Sequence, residues 1–376
     1  MMGKKKSFLI IVLCLVFHHI FWLGACDLKK EPIKIGLVVN LSGRGGTAGE
    51  YIREGAMIAA DEINQKGGIQ GRPILLVIKD DENTDDGIIN ADKELIAEGV
   101  PIIIGHTYSE STLKAYPYVT SRDTLLFTSY TATSRLTGKD DLFFRTSVDT
   151  ASYGRALSVL LTKRQFSRVC FLMDMSNPSF TLEYVEETEK YYTGNTYSIE
   201  FNSRKETNWD MVIRELMEPN PEAIVLLTEV TMTGVSAQKL RSRGFEGDLI
   251  ATLWAQTSDL MRYGGQAVEG MTIITFIKPR YDTPEYKTFA GKIKENFHHP
   301  VTARAVRAYE AVYIISEALK KSSAFTAAEI KKNLLLLPEI NYIMGPVRFD
   351  AFGDVVRPIY EVRIKDAEFY NAGQIK

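Results

Sequence analysis

The chain has 376 residues, of which 45% are hydrophobic, 24% charged and 10% aromatic, a globular composition that excludes a disordered or fibrous polymer. Its 45 Lys and Arg against 47 Asp and Glu leave a formal charge of −2, so no basic excess exists for nucleic-acid phosphates, and a nucleic-acid partner is not expected. At this length two or three domains are expected.

In chain order the first feature is an export signal. Lys4, Lys5 and Lys6 precede an apolar run from Phe8 to Leu23, broken only by His18 and His19, and Leu23-Gly24-Ala25-Cys26 ends it with small residues before a cysteine. The run is short and closes on a cleavage-type site, which is the layout of a secretory signal over residues 1–25. The segment resembles a bacterial lipobox, which implies lipidation of Cys26. An uncleaved anchor helix is the alternative, and both readings leave the rest of the chain outside the cytoplasm at a membrane surface. Cleavage removes three lysines and no acid, so the remainder carries −5. Cys14 leaves with the signal, and Cys170, inside the apolar run Val169–Met173, reads as core filling. No disulfide is then available, and stability must come from burial.

Strands and helices alternate from there. Ile33–Val39 reads as a strand, 49–63 as a helix, 73–79 as a strand, 87–98 as a helix, 102–104 as a strand, 111–119 as a helix and 125–127 as a strand. The rhythm restarts after Phe143–Thr146: helix 152–164, strand 168–173, helix 180–192, strand 195–201, helix 208–217, strand 223–227, helix 233–243, strand 248–252 and helix 257–263. Long helical stretches at 284–296 and 302–321 precede β-like runs at 346–349 and 355–364, with Gly353-Asp354 as the turn of a hairpin. Aliphatic strands separated by helices predict an α/β fold with buried parallel sheets. Two such units in series imply two lobes and a cleft, with ligands at the carboxyl ends of the strands.

The loops leaving those strands carry little reactive chemistry. Ser42–Gly49 fits a loose dinucleotide fingerprint, but the next strand ends near Asp80, well beyond the offset of about 20 residues expected for a ribose-binding acid, and Glu50 stands where a P-loop needs Lys. What survives is a helix start whose backbone N–H groups can hold an anion, with Ser42 beside it. In Asp80–Gly87 the calcium-loop spacing fails, so Asp85 or Asp86 is expected to cap a helix while the other acids face solvent. No metal-ligand cluster, metalloprotease motif or serine-hydrolase elbow occurs, so no metal, cofactor or catalytic activity is expected. Two hydroxyl-rich turns remain: Gly105–Thr112, which includes Tyr108 and Ser109, and Thr128–Ser134. Hydroxyls at a helix N-terminus can bind a carboxylate without a full opposing charge.

Ile33–Ser42, Ala60-Asp61-Glu62-Ile63-Asn64, Gly67–Arg72, Asp80-Asp81, Ile104-Gly105-His106, Ala132-Thr133-Ser134, Trp254–Thr257 and Met344-Gly345-Pro346 together resemble the branched-chain amino-acid-binding proteins. These are type I periplasmic solute-binding proteins of ABC importers. The resemblance implies two Rossmann-like lobes joined by crossovers near 150, 276 and 357. Lobe 1 is then 34–150 with 277–357, lobe 2 is 151–276 with 358–376, and 26–33 is a tether. It implies closure around a small carboxylate-bearing solute, docking on a membrane permease, and a monomer held to the membrane through Cys26. By position, Ser109 and Thr133 would bind the ligand carboxylate, and the Thr131 carbonyl with the Thr133 hydroxyl would receive an ammonium. Departures cluster in the cleft: Ala48 and Phe180 stand where tyrosines are common, and Leu253, beside Trp254, stands where an acid pairs with the ammonium. Either Glu229 supplies that carboxylate from a neighbouring loop, or the ligand is an amine-free aromatic or aliphatic carboxylate or an amide. A sensor of the same fold acting on a signalling partner is the second functional expectation.

Overall fold

The computed structural model describes residues 30–43, 45–279 and 283–376, so the signal-like segment, Cys14 and Cys26 lie outside the described residues. Strands β1 (Ile33–Val39), β2 (Ile74–Asp80), β3 (Ile102–Ile104), β4 (Leu125–Thr128) and β5 (Phe143–Arg145) form a parallel sheet in the order β2-β1-β3-β4-β5. Helices α1 (Gly46–Gln65), α2 (Asp85–Ala97) and α3 (Ser109–Thr120) connect them, and α4 (Thr150–Lys163) leads out of the sheet.

The next strands are β6 (Arg168–Asp174), β7 (Asn195–Phe201), β8 (Ala223–Leu227), β9 (Asp248–Thr252) and β10 (Thr272–Thr275). They are separated by α5 (Pro178–Glu189), α6 (Trp209–Met217), α7 (Val230–Ser242) and α8 (Asp259–Gly264). The chain then returns through α9 (Pro284–Phe297), α10 (Ala303–Lys320), α11 (Ala327–Leu335) and a small ribbon of β11 (Ile340–Tyr342) and β12 (Gly345–Val347). Finally β13 (Tyr360–Lys365) and β14 (Glu368–Gln374) add to the second sheet, whose order is β14-β13-β10-β9-β8-β6-β7. Only its β13 and β14 pairings are antiparallel. The α/β fold with two sheet-centred lobes therefore holds.

Central strands are aliphatic throughout because helices cover both faces. All three residues of β3 and all five of β8 are buried, whereas the edge strand β7 is mostly exposed. Cys170 is buried in β6, and burial pushes its thiol up to about 12. Helices α10 and α11 bury Ala308, Ile315 and Ile330 with Ile35 and Leu37 of β1 in the first lobe's core.

The predicted and observed elements differ in informative ways. Several helices begin two or three residues early, at 46, 85, 109, 150, 178 and 230, because their first turns carry no continuous apolar period, most of them opening on polar residues, Gly or Pro. Elements β10, α11, β11 and β14 carry too short or too polar a pattern to be anticipated. The expected hairpin at Gly353-Asp354 is one bridge, Phe349 to Val355, closed by the Asp350 amide on the Asp354 carbonyl at 2.8 Å. The true hairpin turns at Asp366 and Ala367, both with positive φ, between β13 and β14. Thr84, not Asp85 or Asp86, caps α2: its hydroxyl accepts from the Gly87 amide, while the two acids sit in the first turn. Nor do the other acids all face solvent, since Asp81 is fully buried.

Candidate functional site

The loops leaving β3, β4 and β5 meet those leaving β6 and β9 around a cavity of about 40 Å³. The first lobe contributes Thr107, Tyr108, Ser109, Tyr130 and Ala132; across from them stand Asn177, Phe180, Leu253, Trp254 and Gln256. The remaining wall comes from Tyr153 at the start of α4 and from Ala303, Arg304 and Arg307 in the first turns of α10. Bonds across the cleft hold it closed. The Glu110 amide donates to Asn177 Oδ1 at 3.1 Å, the Ser179 hydroxyl donates to the Glu110 carboxylate, and Tyr51 donates to Asp259 Oδ2 at 3.0 Å.

One side of the cavity is aromatic. Trp254 meets Tyr108 edge-on at 6.1 Å and Phe180 at 5.7 Å, and Phe180 meets Tyr184, which stacks on Tyr153. The other side is cationic. Arg304 and Arg307 lie three residues apart on one face of α10, with Arg307 over the Tyr130 ring at 4.6 Å. Burial, with Arg304 and Arg357 nearby, pulls Arg307 down to about 10, which still leaves it charged at neutral pH. Burial also raises the phenols of Tyr108, Tyr130 and Tyr153, so they remain neutral hydrogen-bond donors. No Asp or Glu among the described residues lines this cavity. Two helix starts, those of α3 at Ser109 and α10 at Ala303, add partial positive charge.

The sequence-derived candidates separate by place. Tyr108, Ser109, Phe180, Leu253 and Trp254 line the cavity together. The Ser109 hydroxyl accepts from the Ala132 amide at 3.1 Å and keeps its proton to donate. The side-chain hydroxyls of Thr131 and Thr133 turn away, which leaves the expected role of the Thr131 carbonyl untouched. The Thr131 hydroxyl lies 2.5 Å from that of Thr112, and Thr133 donates to Glu183 Oε1 at 2.5 Å while its carbonyl accepts from Arg145. Their neighbours Tyr130 and Ala132 occupy the wall instead, a one-residue shift that the alternation of a turn makes decisive. Ser42 lies outside the cavity and hydrogen-bonds Asp80. Glu229 lines a separate outer cleft of about 250 Å³ with Arg304, Tyr108 and Trp254, and its carboxylate caps α7 by accepting from Thr231 and Met232 amides. It does not line the inner cavity.

Arg304, Arg307, Tyr130 and Tyr153 were missed in the sequence. The available signal was Arg304, Arg307 and Glu310 at three-residue spacing within an otherwise Ala/Val/Ile-rich helix, a charged stripe where a core face belongs.

Residues 32–369 match the family model described as periplasmic binding protein. The Leu/Ile/Val-binding protein of Escherichia coli K12 is 24% identical over 330 residues, covering 86% of this chain and 88% of that protein. A leucine-binding protein from Thermotoga maritima superposes with a TM-score of 0.82 at 21% identity, covering 92% of this chain and 99% of its own. A solute-binding protein of an ABC transporter from R. palustris, in complex with benzoate, gives 0.82 at 18% identity, covering 92% and 96%. At these identities the two structures speak for the fold.

Proposed function

This chain belongs to the periplasmic binding protein family, in its branched-chain amino-acid-binding type I branch, and from that membership we propose that it is the solute-binding component of an ABC importer. It takes a small carboxylate-bearing solute into the cleft, closes its lobes on it and presents the closed form to a membrane permease. The observation that carries this reading is the cavity shared by both lobes, with Ser109, Tyr130 and Ala132 on one side and Phe180, Leu253 and Trp254 on the other. The relatives' names support the ligand class: one is named for leucine, isoleucine and valine, and one structure holds benzoate. The family's extracytoplasmic location agrees with the signal-like N-terminus, and we assign Cys26 as the lipidated residue that tethers the chain to its membrane. No helix among the described residues is long and apolar enough to cross a membrane. We place the lobe boundaries near 150, 276 and 357, where the chain passes between the two sheets.

The test is thermal unfolding of the chain from Asp27 against branched, aromatic and acidic amino acids, short amides and amine-free aromatic carboxylates. A ligand at ~1,000 times its dissociation constant adds about 4 kcal/mol, so a true solute raises the midpoint by several degrees. No shift with any of them, and no solute released on denaturation, would overturn the reading.

A further inference from the structure

Arg307 is only 5% exposed, yet its Nε and Nη2 find no hydrogen-bond partner among the described residues, and it lines the inner cavity. An arginine held dry without an acid is costly, and a carboxylate docked on its two-pronged edge relieves that cost. The surroundings supply no such acid. Glu229 is engaged at the α7 N-terminus, and Glu310, one turn along α10, accepts from the Met344 amide at 2.6 Å and acts on Arg357. A second donor belongs to a wall residue of the same cavity: the indole Nε1 of Trp254 is buried and has no partner among the described residues. The site thus combines two guanidinium groups, a free indole N–H and aromatic edges, with no carboxylate to receive an ammonium.

Building on the solute-binding reading, we propose that Arg307 is the anchor for the ligand's anion, that the ligand is an amine-free aromatic carboxylate, and that amino acids are excluded. The carboxylate pairs with Arg307, and the ring lies between Phe180, Trp254 and Tyr153, where edge-to-face contacts are available once the lobes part enough to widen the ~40 Å³ cavity around it. An α-ammonium in the same cavity would meet Arg304 and Arg307 with no carboxylate to offset it, only the neutral, unpartnered Oε1 of Gln256. Arg304 lines both the inner cavity and the outer cleft, so it also extends the positive path by which an anion enters.

Calorimetric titration of the purified protein, freed of bound solute, tests this with benzoate, benzamide, L-phenylalanine and L-leucine. The expected result is binding of benzoate and none of either amino acid. Arg307→Gln should weaken benzoate by about 100-fold or more and leave benzamide within a few-fold, because only the anion uses the guanidinium. Arg307→Lys, which keeps the charge but loses the fork, should fall between. A loss of benzamide equal to that of benzoate would mark Arg307 as structural and overturn the proposal. Amino-acid binding indifferent to Arg307→Gln would overturn it while leaving the solute-binding reading intact. Silence toward every acid, with nothing released on denaturation, would overturn both.

Discussion

At the scale of single residues, His106 shows how burial changes what an acidic run means. Its Nδ1 lies 2.8 Å from Asp81 Oδ2 and its Nε2 3.3 Å from Asp92 Oδ1, all three side chains buried. Burial by itself lowers the imidazole pKa, but the two aspartates outweigh it and hold the group at about 10. The proton is therefore bound more tightly in the folded chain than in the unfolded one, whose histidine titrates near 6.5. The stability this confers is complete below that value and drains away as pH rises through about 10. Denaturant unfolding at pH 6.5 and at pH 9 should show the loss. His106→Asn should cost about 3 kcal/mol at the lower pH and flatten the dependence, since it leaves two buried acids without a cation. Read linearly, Asp80–Asp86 is a solvated acidic run; the difference for Asp81 lies in a strand end that turns its side chain inward.

Elements meet where glycine permits it. A Cβ on Gly55 of α1 would stand 2.0 Å from the Ala305 carbonyl oxygen of α10, so the two helices touch through backbone there. Gly55→Ala must push α10 away, at about 1–3 kcal/mol, and because α10 carries Arg304 and Arg307 it should also weaken ligand binding. Gly291, exposed within α9 with nothing within 4 Å of its added Cβ, is the contrast: Gly291→Ala should stabilise by about 0.4–1 kcal/mol and leave binding alone. Thermal melts with and without ligand separate the two. Most elements were legible because apolar period and aliphatic runs are local properties: strands 195–201, 223–227 and 248–252 end where their sequences indicate. The exceptions have local causes as well. Strand β14, Glu368–Gln374, is a polar edge strand with no alternation to read.

For the molecule as a whole, closure is the property that matters, and its bonds join residues far apart in the chain. Tyr51 and Asp259 are 208 positions apart, and Ser179 and Glu110 are 69 apart. Bonds made only when the lobes are shut stabilise the closed, liganded state without contributing to either lobe's own folding. Tyr51→Phe combined with Ser179→Ala removes two of them, each about 0.5–1.5 kcal/mol net. The double variant should release ligand roughly 5- to 100-fold faster in stopped-flow experiments, with the unfolding midpoint of the ligand-free chain nearly unchanged. A slower or unchanged release rate would mean that closure rests on other contacts.

What the sequence determined by itself was everything carried by near neighbours: the alternation of buried strands and helices, the sheets it demands, and the loops at strand ends where a ligand must dock. Tyr108 and Ser109 were identifiable from those loops, and Phe180, Leu253 and Trp254 through the family resemblance. The tertiary structure alone decided which side chains face one another across the cleft. Thr131 and Thr133 give way to Tyr130 and Ala132 because orientation within a turn depends on what the turn packs against. Arg304 and Arg307 read linearly as the charged side of a helix; they become the cavity wall because Gly55 lets α10 seat against α1, burying that face between two lobes. Charge is a local property of the chain, but its burial is a property of the fold.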